Sequence, residues 1–128
     1  MAGASTYLED AIISHALRNT TYTPPATVYV GLYTADPADA GGGTEIAAAG
    51  YARQAATFSA PSSGATSNSG VLTFGPITGG GGTATSFGIF DAVSGGNLLI
   101  WDTLTAPRTW SAGDSLFFSI GGLTVALD

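Results

Sequence analysis

The sequence predicts a mainly β protein: an antiparallel β-sandwich or jelly-roll-like barrel of about seven or eight short strands with one short N-terminal amphipathic helix. Three observations predict it. After Pro25 the apolar residues recur at every second position, the period of a pleated strand. Glycine is abundant, at 19 of 128 residues, and Gly, Pro, Asp, Asn and Ser punctuate the apolar runs. The 45% of hydrophobic residues are scattered in short runs. A chain of 128 residues suffices for one domain with its own core and leaves no room for a second of ordinary size, so residues 1–128 read as a single domain.

The helix comes first, over about residues 6–18. Thr6 and Glu9 stand at capping-box spacing. Leu8, Ile12 and Ala16 repeat at helical intervals, with Ala11, Ile13 and Leu17 widening the stripe. Glu9 and Asp10 at the start and His15 and Arg18 at the end suit the helix dipole. Asn19 is a C-terminal stop, and Pro24-Pro25 prevents a restart. So short a helix is marginal alone and must bury a face. The Leu8/Ile12 side is expected to pack on its own domain. Tyr7, Ile13 and Leu17 are then left for another subunit.

The strands follow. "ATVYVGLYT" (26–34) alternates Val28, Val30 and Leu32 with Tyr29, Gly31 and Tyr33, and both faces are apolar enough to be covered. "ADPADAGGGTEIAAAG" (35–50) reads as a loop, with its turn at Asp36-Pro37. "YARQAATFSA" (51–60) reads as a strand with Ala52, Ala56 and Phe58 inward. "PSSGATSNSG" (61–70) is a polar connection, "VLTFGPI" (71–77) a short strand ended by Gly75-Pro76, and "TGGGGTAT" (78–85) a loose link. "SFGIFDA" and "NLLIWDTL" form a hairpin. Asp91 folds its side chain onto the backbone at the turn entry, and Gly95-Gly96 supplies positive φ. Ala112-Gly113-Asp114 is a second hairpin bend, between "RTW" and "SLFFSI". "LTVAL" (123–127) closes the chain with Leu123, Val125 and Leu127 inward.

Charge and composition exclude several function classes. Only 9% of residues are charged, the net charge is −6, and Arg18, Arg53 and Arg108 are the only basic residues apart from His15. Nucleic-acid binding requires a basic footprint that three arginines do not make, and an anionic membrane surface is disfavoured for the same reason. No run approaches the roughly 18 apolar residues of a membrane span, and the N-terminus does not read as a secretory signal. There is no cysteine, hence no disulfide or thiolate metal site.

Catalytic and ligand-binding patterns are likewise missing. The glycine runs are not a phosphate cradle: a P-loop needs a lysine, and a dinucleotide fingerprint needs a helix after it. The single histidine, His15, has no nucleophile elbow to serve and cannot build a multi-histidine metal site. Asp36, Asp39 and Glu45 lack calcium-loop spacing and read as a solvated acidic loop. The expectation is no enzyme, no cofactor and no metal. Arg53, inside a predicted strand, pairs with an acid or with a neighbouring subunit, or snorkels at an edge. Trp101 and Trp110, near hairpin ends, read as core or layer-edge residues rather than ligand platforms.

The order "PPATVYVGLYTADP", "GYARQAATF", "FGIFDAVSGGNLLIWDTL", "SAGDSLFF" and "LTVALD" resembles small tailed-bacteriophage virion structural proteins, often described as tail fibre-like, over about residues 6–128. The resemblance implies a virion component made in the host cytoplasm, and no catalytic residue carries over from it. Trp110 stands where the family pattern leads one to expect a β-branched residue, which marks it as a possible contact.

A low-charge, compact chain without a fibrous repeat suits a capsid decoration (cement) protein bound to the major capsid protein on the outer head shell. A tail or tail-appendage component is the alternative, and a glycan-binding module a further one. A homo-oligomer is expected, with Tyr7, Ile13, Leu17, Arg53 and Trp110 as subunit contacts.

Overall fold

A computed structural model describes residues 3–127. The chain folds as an open, sandwich-like β protein with one helix. Its elements are β1 (Gly3–Ala4), α1 (Thr6–Arg18), β2 (Val28–Ala35), β3 (Thr44–Glu45), β4 (Gln54–Ala56), β5 (Ala65–Ser67), β6 (Leu72–Ile77), β7 (Gly82–Phe90), β8 (Leu98–Trp110), β9 (Asp114–Phe118) and β10 (Thr124–Ala126). The main sheet runs β1-β8-β7-β2-β3, with β4 also on β2, and all its pairs are antiparallel. Two short antiparallel ladders, β5–β10 and β6–β9, supply the remaining strands.

The expected alternation in β2 is observed. Val30 and Leu32 are fully buried and pair in register with Ile89 and Phe87 of β7. They join Phe74, Ile77, Leu116, Phe118, Leu123 and Val125 in one core. Phe74 and Phe118 meet edge to face at 5.9 Å, a preferred aromatic geometry. The other face of β2 is covered as well, with Tyr33 buried.

The helix occupies the expected residues, but its cap differs. Ser5, in an extended conformation, is the N-cap, and its Oγ accepts from the Leu8 N–H at 3.2 Å. Thr6 is therefore inside the helix, and the Thr6/Glu9 capping box does not form. The Ser5 N–H donates to the Leu99 carbonyl and its Oγ–H to the Leu98 carbonyl, so one residue ties the helix start to β8. Asn19 ends the helix at φ 54° as expected.

Several connections carry more structure than the sequence shows. The 35–50 loop contains β3, and the 61–70 connection contains β5. Ladders of two or three residues are too short to leave a periodic signal. The 51–60 strand shrinks to Gln54–Ala56; Ala52 is exposed, Ala56 buried and Phe58 half-buried. The 78–85 link is not loose. β7 starts at Gly82, where a Cβ would stand 2.8 Å from the Trp110 ring. Gly75-Pro76 does not end β6 but sits at a register shift within its pairing, a site that tolerates proline. Leu127, expected inward, is 39% exposed.

The bend at Ala112–Asp114 also differs from expectation. β8 runs unbroken to Trp110, and β9 pairs with β6 rather than folding back on β8. The turn is closed by the Asp114 N–H on the Ser111 carbonyl and by the Ser111 N–H on the Asp114 carboxylate. It moves the chain from the main sheet to the β6–β9 ladder.

The β7–β8 hairpin forms as expected. Gly95 and Gly96 have φ of 63° and 72°. Asp91 Oδ1 accepts from the Asn97 N–H at 2.7 Å and Oδ2 from its side-chain amide at 2.9 Å. These bonds, the backbone one first, hold the Asp91 carboxyl below its ordinary pKa. A carboxylate depressed in the folded state adds stability that is present above its unfolded pKa and lost as pH falls through the folded one. Asp91→Ala should therefore lower the unfolding midpoint at pH 7, and the gap to the parent should narrow below about pH 4. A gap that stays constant across a pH series of denaturation curves would show that the charge contributes nothing.

Candidate interaction surface and the polar cluster beside it

The helix presents two unlike faces. Leu8 is its buried residue, set against β8. Ile12, expected to be buried, is 43% exposed, and Ala16 is exposed as well. The helix is held by its first turn, through Ser5, Leu8 and the bond from the Thr6 N–H to the Asp39 carbonyl. In the remaining turns only Ala11 and Ser14 are half-buried and the other residues are exposed. Three of the expected contact residues are in the open: Tyr7 in the first turn is 44% exposed, and Ile13 and Leu17 farther along are 53% and 79% exposed.

Arg53 belongs to a different arrangement. β4 pairs with β2 over Val28–Val30, and β3 pairs over Tyr33–Ala35. Between the two ladders the Leu32 N–H would lack a partner, and a buried N–H must find one. The Tyr51 hydroxyl accepts from it at 2.9 Å and donates to Glu45 Oε2 at 2.7 Å. Arg53 binds the same carboxylate with two parallel bonds of 2.9 Å, Nε to Oε2 and Nη2 to Oε1. Its Nη1 reaches across to the Ala92 and Gly95 carbonyls in the hairpin turn. Its guanidinium carbon stands 3.5 Å from the centre of the Phe90 ring, which stacks on Tyr33.

Two glycines make room for this cluster. Gly31 and Gly88 are register partners in β2 and β7. A Cβ on Gly31 would lie 2.6 Å from Glu45 Oε2, and one on Gly88 2.8 Å from Leu98. The electrostatics agree with the geometry. Burial, and then the Glu45 bond, push the Tyr51 hydroxyl far above its usual range, so it stays a protonated donor. Burial works against the Arg53 charge, but the Glu45 bonds outweigh it and raise its pKa.

"VYVGLYTADP" supplies Gly31, Leu32 and Tyr33; "GYARQ" supplies Tyr51 and Arg53; "FGIFDAVSGG" supplies Gly88, Phe90, Ala92 and Gly95. The most distinctive stretches of the sequence thus meet in one cluster. The family described as Podophage GP4 fiber I protein gp80 matches residues 3–126. The chain belongs to this family. No curated protein matches it.

Membership in the podophage fibre family makes the chain a structural protein of the phage particle and its neighbours other virion proteins. Within this chain the cluster closes the gap in the β2 ladder and ties β3 and the segment before β4 to the β7–β8 turn. Arg53 found an acid within its own chain, Glu45. Its side chain is only 10% exposed, which leaves little to offer a partner. Trp110 is 5% exposed and lies in the core over Gly82, so its unusual identity is accounted for by packing.

Tyr51 is not singled out by the sequence, and Glu45, expected in a solvated acidic loop, is instead half-buried and paired with Arg53. The available signal was the scarcity of cations: a strand arginine in so uncharged a chain needs a nearby acid, and Glu45 was eight residues away. Asp39, read as loop surface, has Oδ1 3.1 Å from the indole nitrogen of Trp101 and accepts its hydrogen bond. Among the described residues no group of three or more His, Asp or Glu is placed to hold a metal, and no helix is long and apolar enough to cross a membrane.

Proposed function

We propose that the chain is a non-enzymatic building block of the phage tail fibre, attached to its neighbours through the outward face of α1 at Tyr7, Ile13 and Leu17. The observation that carries this reading is the set of exposed apolar residues on a helix whose one buried residue, Leu8, lies in its first turn, on a chain of the fibre family. An apolar stripe left in water is the usual mark of a surface covered in an assembly. A second reading, decoration of the outer head shell through the major capsid protein, draws on the compact fold and the lack of a fibrous repeat. The family description shifts the weight from the head to the fibre.

Copy number separates the two. Quantitative densitometry of purified virions should find a few to a few tens of copies. Hundreds of copies, in simple ratio to the capsid protein, would transfer the chain to the head. Leu17→Asp tests the surface. It should leave the thermal midpoint of the free protein unchanged, because Leu17 is 79% exposed, and should reduce retention of the protein on virions. Full retention would remove α1 from the contact.

A further inference from the structure

The start of α1 is held through backbone groups that the helix itself cannot satisfy. The first four N–H groups of a helix have no partner within it. Here the Ser5 N–H goes to the Leu99 carbonyl of β8, the Thr6 N–H to the Asp39 carbonyl at 2.9 Å, and the Leu8 N–H to Ser5 Oγ. The Ser5 hydroxyl adds the Leu98 carbonyl. The two β8 carbonyls are neighbours on one strand. With Leu8 they fix where the helix starts more firmly than where it points. The Thr6 bond is a further point of attachment, and it comes from outside β8. Among the described residues no hydrogen bond joins residues 9–18 to the sheet. Tyr22, in the link to β2, donates its N–H to His15 Nδ1 over an exposed 3.3 Å.

Asp39 is an exposed loop residue pinned by its own side chain. Pro37 just before it is fully buried, and the Gly41 N–H closes a turn around it on the Ala38 carbonyl at 2.8 Å. Its Oδ1 takes the indole N–H of Trp101. Trp101 is 5% exposed and stands inside the main sheet, paired with Gly3 of β1 and Gly88 of β7. A firmly seated residue of β8 thus reaches the helix through Asp39, from indole to carboxylate and from carbonyl to the Thr6 N–H. Leverage makes this link matter. Leu17 lies about 14 Å beyond Leu8 along the axis, so a tilt of about 10° at the first turn displaces it by about 2 Å. A gap of about 0.5–1 Å already forfeits a quarter to a half of a van der Waals contact.

We propose that Asp39 is the positioning residue of α1: through its bond with Trp101 it sets the direction in which the helix presents Ile13 and Leu17 to a neighbour. The proposal rests on the reading of α1 as a contact surface and adds what aims it. Asp39 touches no partner itself. It braces the helix before the partner arrives, so that association does not have to stop a swinging helix, a cost that otherwise comes out of the binding free energy. The acceptor oxygen is what the brace requires, and asparagine supplies one in the same place where alanine does not.

Residual dipolar couplings of the backbone amides in the purified full chain measure the direction of α1 against the sheet. In the parent the α1 couplings should fit the same alignment as those of β7 and β8. Asp39→Ala and Trp101→Phe should each shrink or reorient the α1 couplings and leave the β7 and β8 couplings as they were. Asp39→Asn should keep the parent's values. On virions, Asp39→Ala should lower retention as Leu17→Asp does, and Asp39→Asn should restore it. If one of the first two variants fails to fold, seen as loss of the β7 and β8 couplings, the other decides. Unchanged α1 couplings in Asp39→Ala or Trp101→Phe overturn the proposal. Full retention of Asp39→Ala beside a detaching Leu17→Asp overturns it too, since the contact then needs no fixed direction. Retention of Leu17→Asp itself removes the reading of α1 as a contact surface, while the couplings still show whether Asp39 aims the helix.

Discussion

Glu45→Ala is expected to lower the unfolding free energy by about 3–4 kcal/mol, because it strands a nearly buried guanidinium. Arg53 is 10% exposed and would keep only the Ala92 and Gly95 carbonyls, and the Tyr51 hydroxyl would lose its acceptor. The effect should reach the sheet itself, since Tyr51 fills the gap in the β2 ladder at the Leu32 N–H. Arg53→Met should cost a similar amount by leaving the Glu45 carboxylate without its cation. The double variant, Glu45→Met with Arg53→Met, should lose clearly less than the sum of the single losses, because no unpaired charge remains. Urea denaturation of the four proteins measures this directly. Strictly additive losses would mean that the two side chains do not act as a pair.

Asn68→Leu should be comparably damaging, at about 3–5 kcal/mol, although it places an apolar residue of similar size in a buried position. Asn68 is 1% exposed and uses its whole amide. Nδ2 donates to the Gly70 and Ser119 carbonyls at 2.8 and 3.0 Å, and Oδ1 accepts from the Leu123 N–H at 2.9 Å. Its backbone adds a bond to the Leu123 carbonyl and one from the Gly121 N–H. One residue thus connects the 68–70 segment to the turn that leads into β10. Leucine would leave the Gly70 carbonyl and the Leu123 N–H without partners, at about 1–3 kcal/mol each where they are shut off from water, and would leave the Ser119 carbonyl with the Gly122 N–H alone. Asn68→Asp keeps the acceptor and loses the donors, so it should be intermediate near neutral pH. An Asn68→Leu variant that melts with the parent would show that water replaces these bonds freely.

Both residues lie in stretches whose local pattern is weak. Asn68 stands in "PSSGATSNSG", which reads as a polar connection because nothing in its composition distinguishes a solvated asparagine from a buried one. Glu45 follows three glycines in a loop, and β3 around it is only two residues long. The α1 stripe gives the reverse case. Its spacing of Leu8, Ile12 and Ala16 promises a docked face, yet β8 offers a seat for Leu8 alone. Periodicity reports that a face is apolar; it does not report what stands opposite.

The sequence by itself determined the β class, the extent of the helix, the two-faced burial of β2 and the β7–β8 hairpin. Each of these rests on spacing between neighbours along the chain, where side-chain alternation, helix caps and positive-φ glycines act locally. The stretches that meet around Arg53 also carried the likeness to phage virion proteins before their meeting place was known. Only the tertiary structure decided that β9 pairs with β6, that Arg53 pairs with Glu45, that Trp110 covers Gly82, and that Asn68 holds the turn before β10. These are contacts between residues far apart in the chain or in unpatterned loops. Their stability comes from satisfying buried polar groups and filling space at one particular meeting point, and no local spacing encodes where that point will be.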